Sequence, residues 1–133
     1  MDLKNIYIFE GLSDEELSYF DTIAKKQSFK KGDFIISEGD KSNDNAYIIE
    51  SGFVEVFHKG EKLATINEGD IFGEIALIVN EPRASSVIAG DDLKLLAFNR
   101  NDFVMLYKKS GNFEQIRNKI FQRIKKSFYG IKE

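Results

Sequence analysis

The chain has 133 residues, 42% hydrophobic and 13% aromatic, enough to bury one sizeable core and too few to build two. With no cysteine it carries no disulfide framework and no thiolate metal or redox site, which fits a reducing compartment, so a cytoplasmic location is expected. The formal net charge of −3 hides an asymmetry: 11 Lys/Arg stand against 19 Asp/Glu in residues 1–100, and 8 against 3 in residues 101–133. The basic tail reads first as a solvated helix face, with a protein-partner or homodimer surface on the C-terminal helix as the alternative. Nothing resembles a DNA-reading module, and no nucleic-acid partner is expected. The N-terminus lacks an apolar signal core, and no apolar run approaches the roughly 20 residues that cross a bilayer, so no transmembrane segment is expected.

In chain order, residues 13–26 open with the capping-box pair Ser13 and Glu16 and keep Leu17, Phe20 and Ile23 or Ala24 on one stripe, which predicts a helix. From residue 27 to 99 the texture changes to β-rich runs at 34–36, 45–51, 53–58, 61–66 and 84–98. Short runs at this density predict a closed or sandwiched antiparallel sheet, a β-roll or jelly roll. Ser51-Gly52 and Lys59-Gly60 sit where hairpin turns are needed. Helical spacing returns over 101–109 and, beyond Ser110-Gly111, over 112–129, where Phe113, Ile116, Ile120, Ile124 and Phe128 form one apolar stripe. The expected organisation is a single domain, 1–133: a helical segment 1–26, a mainly β roll 27–99, and C-terminal helices 100–129.

The chemistry concentrates in residues 72–87, FGEIALIVNEPRASSV. Gly73 allows close backbone approach, and Glu74, Ile75, Ala76 and Leu77 can begin a short helix near 74–78 whose N–H groups favour an anion. Arg83 follows the chain's sole proline, so its guanidinium is delivered by a stiffened turn. A carboxylate beside an anion site is unfavourable unless the ligand also brings hydroxyl donors, and a sugar phosphate meets that condition. Glu74 would accept from a ribose hydroxyl, Arg83 would fork onto phosphate oxygens, and the short Ala84 leaves its main-chain N–H accessible.

Other chemistries fall away. Gly69 and Gly73 fit neither the dinucleotide nor the P-loop glycine spacing. A calcium loop from Asp40 would need glycine and glutamate where Asn45 and Ser51 stand. His58 is the lone histidine and is expected to be an exposed strand-end residue, too little for a metal centre, a jelly-roll metalloenzyme or a nucleophile triad. Asp91-Asp92 and Glu15-Glu16 read as a turn and a helix start. No catalytic residue, metal or cofactor is expected, and the chain reads as a binding module instead of an enzyme.

The segment resembles the phosphate-binding cassette of cyclic nucleotide-binding domains, Phe-Gly-Glu-(Ile/Leu)-Ala-Leu, four variable residues, Pro-Arg-Ala-(Ala/Ser)-x-Val, with every fixed position present at 72–87. The resemblance extends through residues 32–40, 47–52 and 69–74. It implies a regulatory or sensor domain for cAMP or cGMP in signal transduction, with a β-roll fold and Phe72, Gly73, Glu74, Ile75, Ala76, Arg83, Ala84, Ser85 and Val87 around the ligand. Ile71 would extend the apolar wall. Leu77 matches the cassette leucine that relays movement and Phe103 the aromatic hinge, while Phe121, Arg123, Phe128 and Tyr129 are candidate caps over the base as the last helix closes. Family members that favour cGMP often carry Thr after the cassette arginine; Ala84 here implies cAMP. The alternative is an interaction or dimerisation domain of the same fold that no longer responds to nucleotide.

Overall fold

A computed structural model describes residues 3–108 and 110–127, and of residues 124–127 the backbone alone. The first α-helix, α1, spans Asp14–Ile23 and begins with the reciprocal capping box: Glu16 N–H donates to Ser13 Oγ at 3.1 Å and Ser13 N–H to Glu16 Oε1 at 2.9 Å. It stops short of the predicted residue 26 because Lys25 already lies in the first strand, β1 (Lys25–Phe29). The remaining strands are β2 (Phe34–Ile36), β3 (Asn45–Ser51), β4 (Phe53–His58), β5 (Glu61–Asn67), β6 (Ile71–Phe72), β7 (Ser86–Ala89) and β8 (Leu93–Asn99). The predicted run at 84–98 is thus two strands separated by the Gly90–Asp92 turn.

The strands form two four-stranded antiparallel sheets, in the orders β1-β8-β3-β6 and β2-β7-β4-β5. The fold is mainly β with flanking helices, as predicted. Lys59-Gly60 does turn a hairpin between β4 and β5. Ser51-Gly52 does not: β3 and β4 belong to different sheets, and Gly52 carries the chain from one to the other. Its φ of 92° and an Asp92 carbonyl only 2.5 Å from where a Cβ would stand admit no side chain there.

The period of two along β3 explains why the sheets stack with helices outside. Tyr47 and Ile49 face the space between the sheets, joining Val54, Val56, Phe72, Leu95 and Ala97. Ala46 and Ile48 face the other way, into a second core with Phe9, Phe20, Leu77, Phe98, Phe103, Ile116 and Ile120. The first sheet is therefore apolar on both faces, and β8 lies within it between β1 and β3.

Two C-terminal helices, α2 (Arg100–Tyr107) and α3 (Phe113–Ser127), cover that second core. Ile116 and Ile120 are buried and Phe113 packs beside them, so the predicted stripe does meet the core; the Ile124 side chain and Phe128 lie outside the described residues. The N-terminal segment is tied to these helices, since the Tyr107 hydroxyl donates to the Ile8 carbonyl and Lys119 pairs with Glu10.

Candidate functional site

The site begins where β6 ends. Phe72 stacks on Tyr47 with ring centroids 5.2 Å apart, which anchors the chain before it turns at Gly73. The Gly73 φ of 74° lies in the left-handed region, and a Cβ there would stand 3.2 Å from Ile36 Cδ1 and 3.4 Å from Arg83 Nη1. The positive φ is what favours glycine here, and a side chain would crowd Ile36 first. The following Glu74–Leu77 segment is the short helix expected near 74–78, formed as a single 3₁₀ turn. Its Ala76 N–H is taken by the Gly73 carbonyl at 3.3 Å, an internal i to i+3 bond that removes this donor from the ligand side.

Arg83 reaches this turn from the strand-linking loop after Pro82 and is only 7% exposed. Its Nη1 donates to the Gly73 carbonyl at 3.3 Å, and its Nη2 to Asn43 Oδ1 at 2.7 Å and to the Asn45 carbonyl at 2.9 Å. The Asn43 amide is itself oriented by its bond to the Tyr47 hydroxyl at 3.1 Å. Burial lowers the Arg83 pKa, against the opposing pull of Tyr47 and Asp44, and the guanidinium stays charged at neutral pH. Three of its five N–H donors serve these protein acceptors, which leaves two for an anion.

Glu74 is 4% exposed, and its Oε2 accepts from the Tyr7 hydroxyl at 2.8 Å and from Arg123 Nη1 at 2.9 Å. Tyr7 comes from the N-terminal segment and Arg123 from α3, so the carboxylate is gripped from both ends of the chain. Arg123 also lies 4.7 Å over the Tyr7 ring and 3.4 Å from Asp70 Oδ1. Burial raises the Glu74 pKa, and the Arg123 charge and Tyr7 bond only partly offset it. Burial, then the Glu74 charge, push the Tyr7 hydroxyl far above its ordinary range, so it acts purely as a donor. For Arg123 burial works against the charge, yet Glu74, Tyr7 and Asp70 together outweigh it and hold its pKa up.

A third arginine fixes the far end of the 3₁₀ turn. Arg100, the first residue of α2, donates from Nε and Nη2 to the Ala76 carbonyl at 3.1 and 2.9 Å, and from Nη2 to the Val79 carbonyl at 2.8 Å. It pairs with Asp44 at 3.1 Å as well. Leu77 and Phe103, the predicted relay residues, are both buried in the helix-side core, so packing and Arg100 join the turn to α2 together.

Between the two arms lies a cavity of about 30 Å³ lined by Ile36, Phe72, Gly73, Glu74, Ile75, Arg83, Ala84, Ser85 and Val87. Eight of the nine sequence-predicted ligand residues line it; Ala76 does not, because its N–H and carbonyl are spent on Gly73 and Arg100. Ile71 is buried behind this wall, in the helix-side core. Of the candidate caps, Arg123 reaches Glu74, Phe121 lies under the Arg117 guanidinium at 5.1 Å, and Phe128 and Tyr129 fall outside the described residues. Ile36, Tyr7, Asn43, Asn45 and Arg100 were missed. Asn43 and Asn45 sat in the segment weighed as a calcium loop; a buried arginine needing acceptors was the one available signal. His58 is half-buried, not exposed as expected, and bonds to the Ala84 carbonyl. Among the described residues, no group of three or more His, Cys, Asp or Glu is placed to hold a metal ion, and no helix is long and apolar enough to cross a membrane.

A helix-flanked antiparallel roll in which a Gly-Glu turn and a Pro-Arg turn close on one small cavity brings a buried carboxylate and a buried guanidinium to the same site. The model of the cyclic nucleotide-binding domain matches residues 26–110, and the chain belongs to that family. It is 33% identical over 123 residues to a cAMP-dependent protein kinase type II regulatory subunit from Drosophila melanogaster, covering 89% of this chain and 32% of that protein. Among solved structures it is similar to the Thermus thermophilus catabolite activator protein, at 27% identity and a TM-score of 0.76, over 88% of this chain and 57% of that one. The regulatory subunit of a cAMP-independent protein kinase A from Trypanosoma brucei shares the fold, with a TM-score of 0.79 at 22% identity, over 96% of this chain and 46% of that one. The chain thus spans about a third of the length of the Drosophila relative.

Proposed function

We propose that this protein binds a cyclic mononucleotide, cAMP in preference to cGMP, and couples the bound state to the position of its C-terminal helices. The observation that carries this reading is the placement of a buried Arg83 and a buried Glu74 on opposite sides of one cavity within the family's cassette. In this reading Arg83 takes the cyclic phosphate with its two remaining donors, Ala84 and Ser85 add main-chain contacts, and Glu74 accepts from the ribose 2′-hydroxyl. Phe72, Ile75 and Val87 supply the apolar wall.

A ligand shifts a conformational equilibrium only if it contacts the two states differently. Glu74 provides the difference, because its Oε2, one of the two oxygens a ribose hydroxyl could use, is held by Tyr7 and Arg123 in this form. The cavity is also well below the ~300 Å³ of ordinary small-molecule sites, so a nucleotide seats fully only as α3 and the 3₁₀ turn adjust. Arg100 then carries the adjustment of the turn to α2. The protein acts through this movement on whatever it regulates, as a binding module without a catalytic group.

Isothermal titration with cAMP and cGMP tests the reading. Binding of either below about 100 µM, roughly −5.5 kcal/mol, with cAMP the tighter, is the expected result. Failure of both at that concentration would favour the second reading, a nucleotide-independent interaction or dimerisation domain. That reading draws on the same internal satisfaction of Glu74 and expects a mass that rises with concentration in the absence of ligand.

A further inference from the structure

The turn between β4 and β5 has positive φ at both central residues, 51° at Lys59 and 80° at Gly60, the geometry of a tight hairpin. Lysine is uncommon there. The Lys59 N–H is compensated by a bond to Glu38 Oε1 at 3.0 Å, which ties this hairpin to the loop after β2. His58, just before the turn, places Nδ1 3.0 Å from the Ala84 carbonyl and 3.2 Å from Glu38 Oε1. Both neighbours are acceptors, so Nδ1 carries the proton; the ring holds this contact in its neutral and charged forms alike.

The loop after β2 is strapped to the same stretch of chain. Glu38 N–H donates to Ser86 Oγ at 2.9 Å, Gly39 N–H to the Arg83 carbonyl at 2.8 Å, and Arg83 N–H to the Asp40 carbonyl at 2.8 Å. These bonds hold the peptides on both sides of Arg83 and the Ser86 hydroxyl, and His58 holds the peptide between Ala84 and Ser85. In a planar trans peptide the carbonyl and the N–H point in opposite directions. Holding the Ala84 oxygen toward His58 aims the Ser85 N–H away from it, and both residues line the cavity beside Arg83.

We infer that His58, steadied by Glu38, is a positioning residue for the anion side of the site: it sets the Ala84–Ser85 peptide plane so that its N–H is presented to an oxygen of the bound phosphate. The identity of that phosphate rests on the cyclic nucleotide reading above; the clamp on the turn does not.

The test uses the whole protein with cAMP and the two phosphorothioate diastereomers of cAMP, which differ in which exocyclic oxygen is replaced by sulfur. His58→Ala is expected to weaken cAMP binding about tenfold, the scale of one misdirected hydrogen bond to a charged group, and to change the affinity ratio of the two diastereomers at least threefold. His58→Asn, whose amide nitrogen can occupy the Nδ1 position, is expected to restore both to about the parental values. A His58→Ala protein with parental affinity and parental ratio overturns the inference, as does an Asn variant no better than Ala. If the parent binds neither cAMP nor cGMP, the ligand reading falls by itself, and amide exchange in the unliganded protein judges the clamp. Faster exchange at Gly39 and Arg83 in His58→Ala, with β3 unchanged, supports it; unchanged exchange at both overturns it.

Discussion

The two charged residues of the site are buried to nearly the same degree but are held in different ways. Arg83 is gripped from inside the roll, by two main-chain carbonyls and by an asparagine that the Tyr47 hydroxyl orients. Glu74 is gripped from outside it, by side chains of the N-terminal segment and of α3. The Arg83 side is therefore set when the roll folds, whereas the Glu74 side depends on where the helices lie. On the proposed function the first, the anion arm, would supply affinity and the second, the hydroxyl arm, would read conformation.

The hardest blow to this division would come at Arg83. Arg83→Ala is expected to weaken cyclic nucleotide binding a hundredfold or more, about 3 kcal/mol for two charge-assisted bonds, and calorimetric titration would measure it. An unchanged affinity would show that the anion arm is elsewhere. Next in size, Tyr7→Phe leaves a buried carboxylate short of one donor and is expected to destabilise the protein by about 1–3 kcal/mol in urea unfolding. No change there would mean that Glu74 finds another donor and is not clamped. Arg123→Ala, which takes a donor and the opposing charge from the same buried carboxylate, should cost about as much stability as Tyr7→Phe and should leave phosphorothioate discrimination intact.

Smaller still is the effect of removing the ligand's own hydroxyl. cAMP is expected to bind about tenfold tighter than 2′-deoxy-cAMP to the parent, and equally to Glu74→Ala, a difference of about 1.4 kcal/mol confined to one arm.

Stability against pH separates the arms in a further way. A carboxyl whose folded pKa lies above its unfolded value binds its proton more readily in the folded state. Its contribution thus favours folding at low pH and is lost as pH rises from the ordinary 4.5 through the raised folded value. Comparing parent and Glu74→Gln, the variant should show a flatter fall of stability across that window, read from thermal melts at stepped pH. An identical slope would mean that Glu74 does not titrate in the way its burial dictates.

Arg83, Glu74 and the glycine between strand and turn were legible in the sequence because their chemistry is local: proline, arginine and small residues within sixteen positions specify a turn and what it presents. Tyr7 and Arg123 were not legible as partners, since Tyr7 stands 67 positions from Glu74 and nothing in spacing reports which distant side chain fills a buried carboxylate's valence. The same limit explains Gly52. A Ser-Gly pair after a strand predicts that the chain reverses, but not which sheet the next strand joins, and here it leaves the first sheet altogether. β1 escaped notice because Lys-Lys-Gln-Ser-Phe has an exposed, polar face at a sheet edge, and β6 because two residues have no period. Arg100 carried no local signal; its role exists only because the 3₁₀ turn ends beside it.

The position of β8 has a consequence for how the chain assembles. It is the strand on which β1 and β3 both pair, joining Lys25 to Ala97 and Tyr47 to the same residue, yet it lies near the end of the roll in sequence. During synthesis the second sheet has all its strands by residue 89 and β3 can already meet β6, but β1 and β3 have no common partner until residues 93–99 leave the ribosome. Until then β3 presents both apolar faces at once, and this is the interval in which a nascent chain is most exposed to aggregation. Refolding should accordingly run on the millisecond-to-second scale of non-local β pairing, with β8 as the strand whose arrival closes the first sheet.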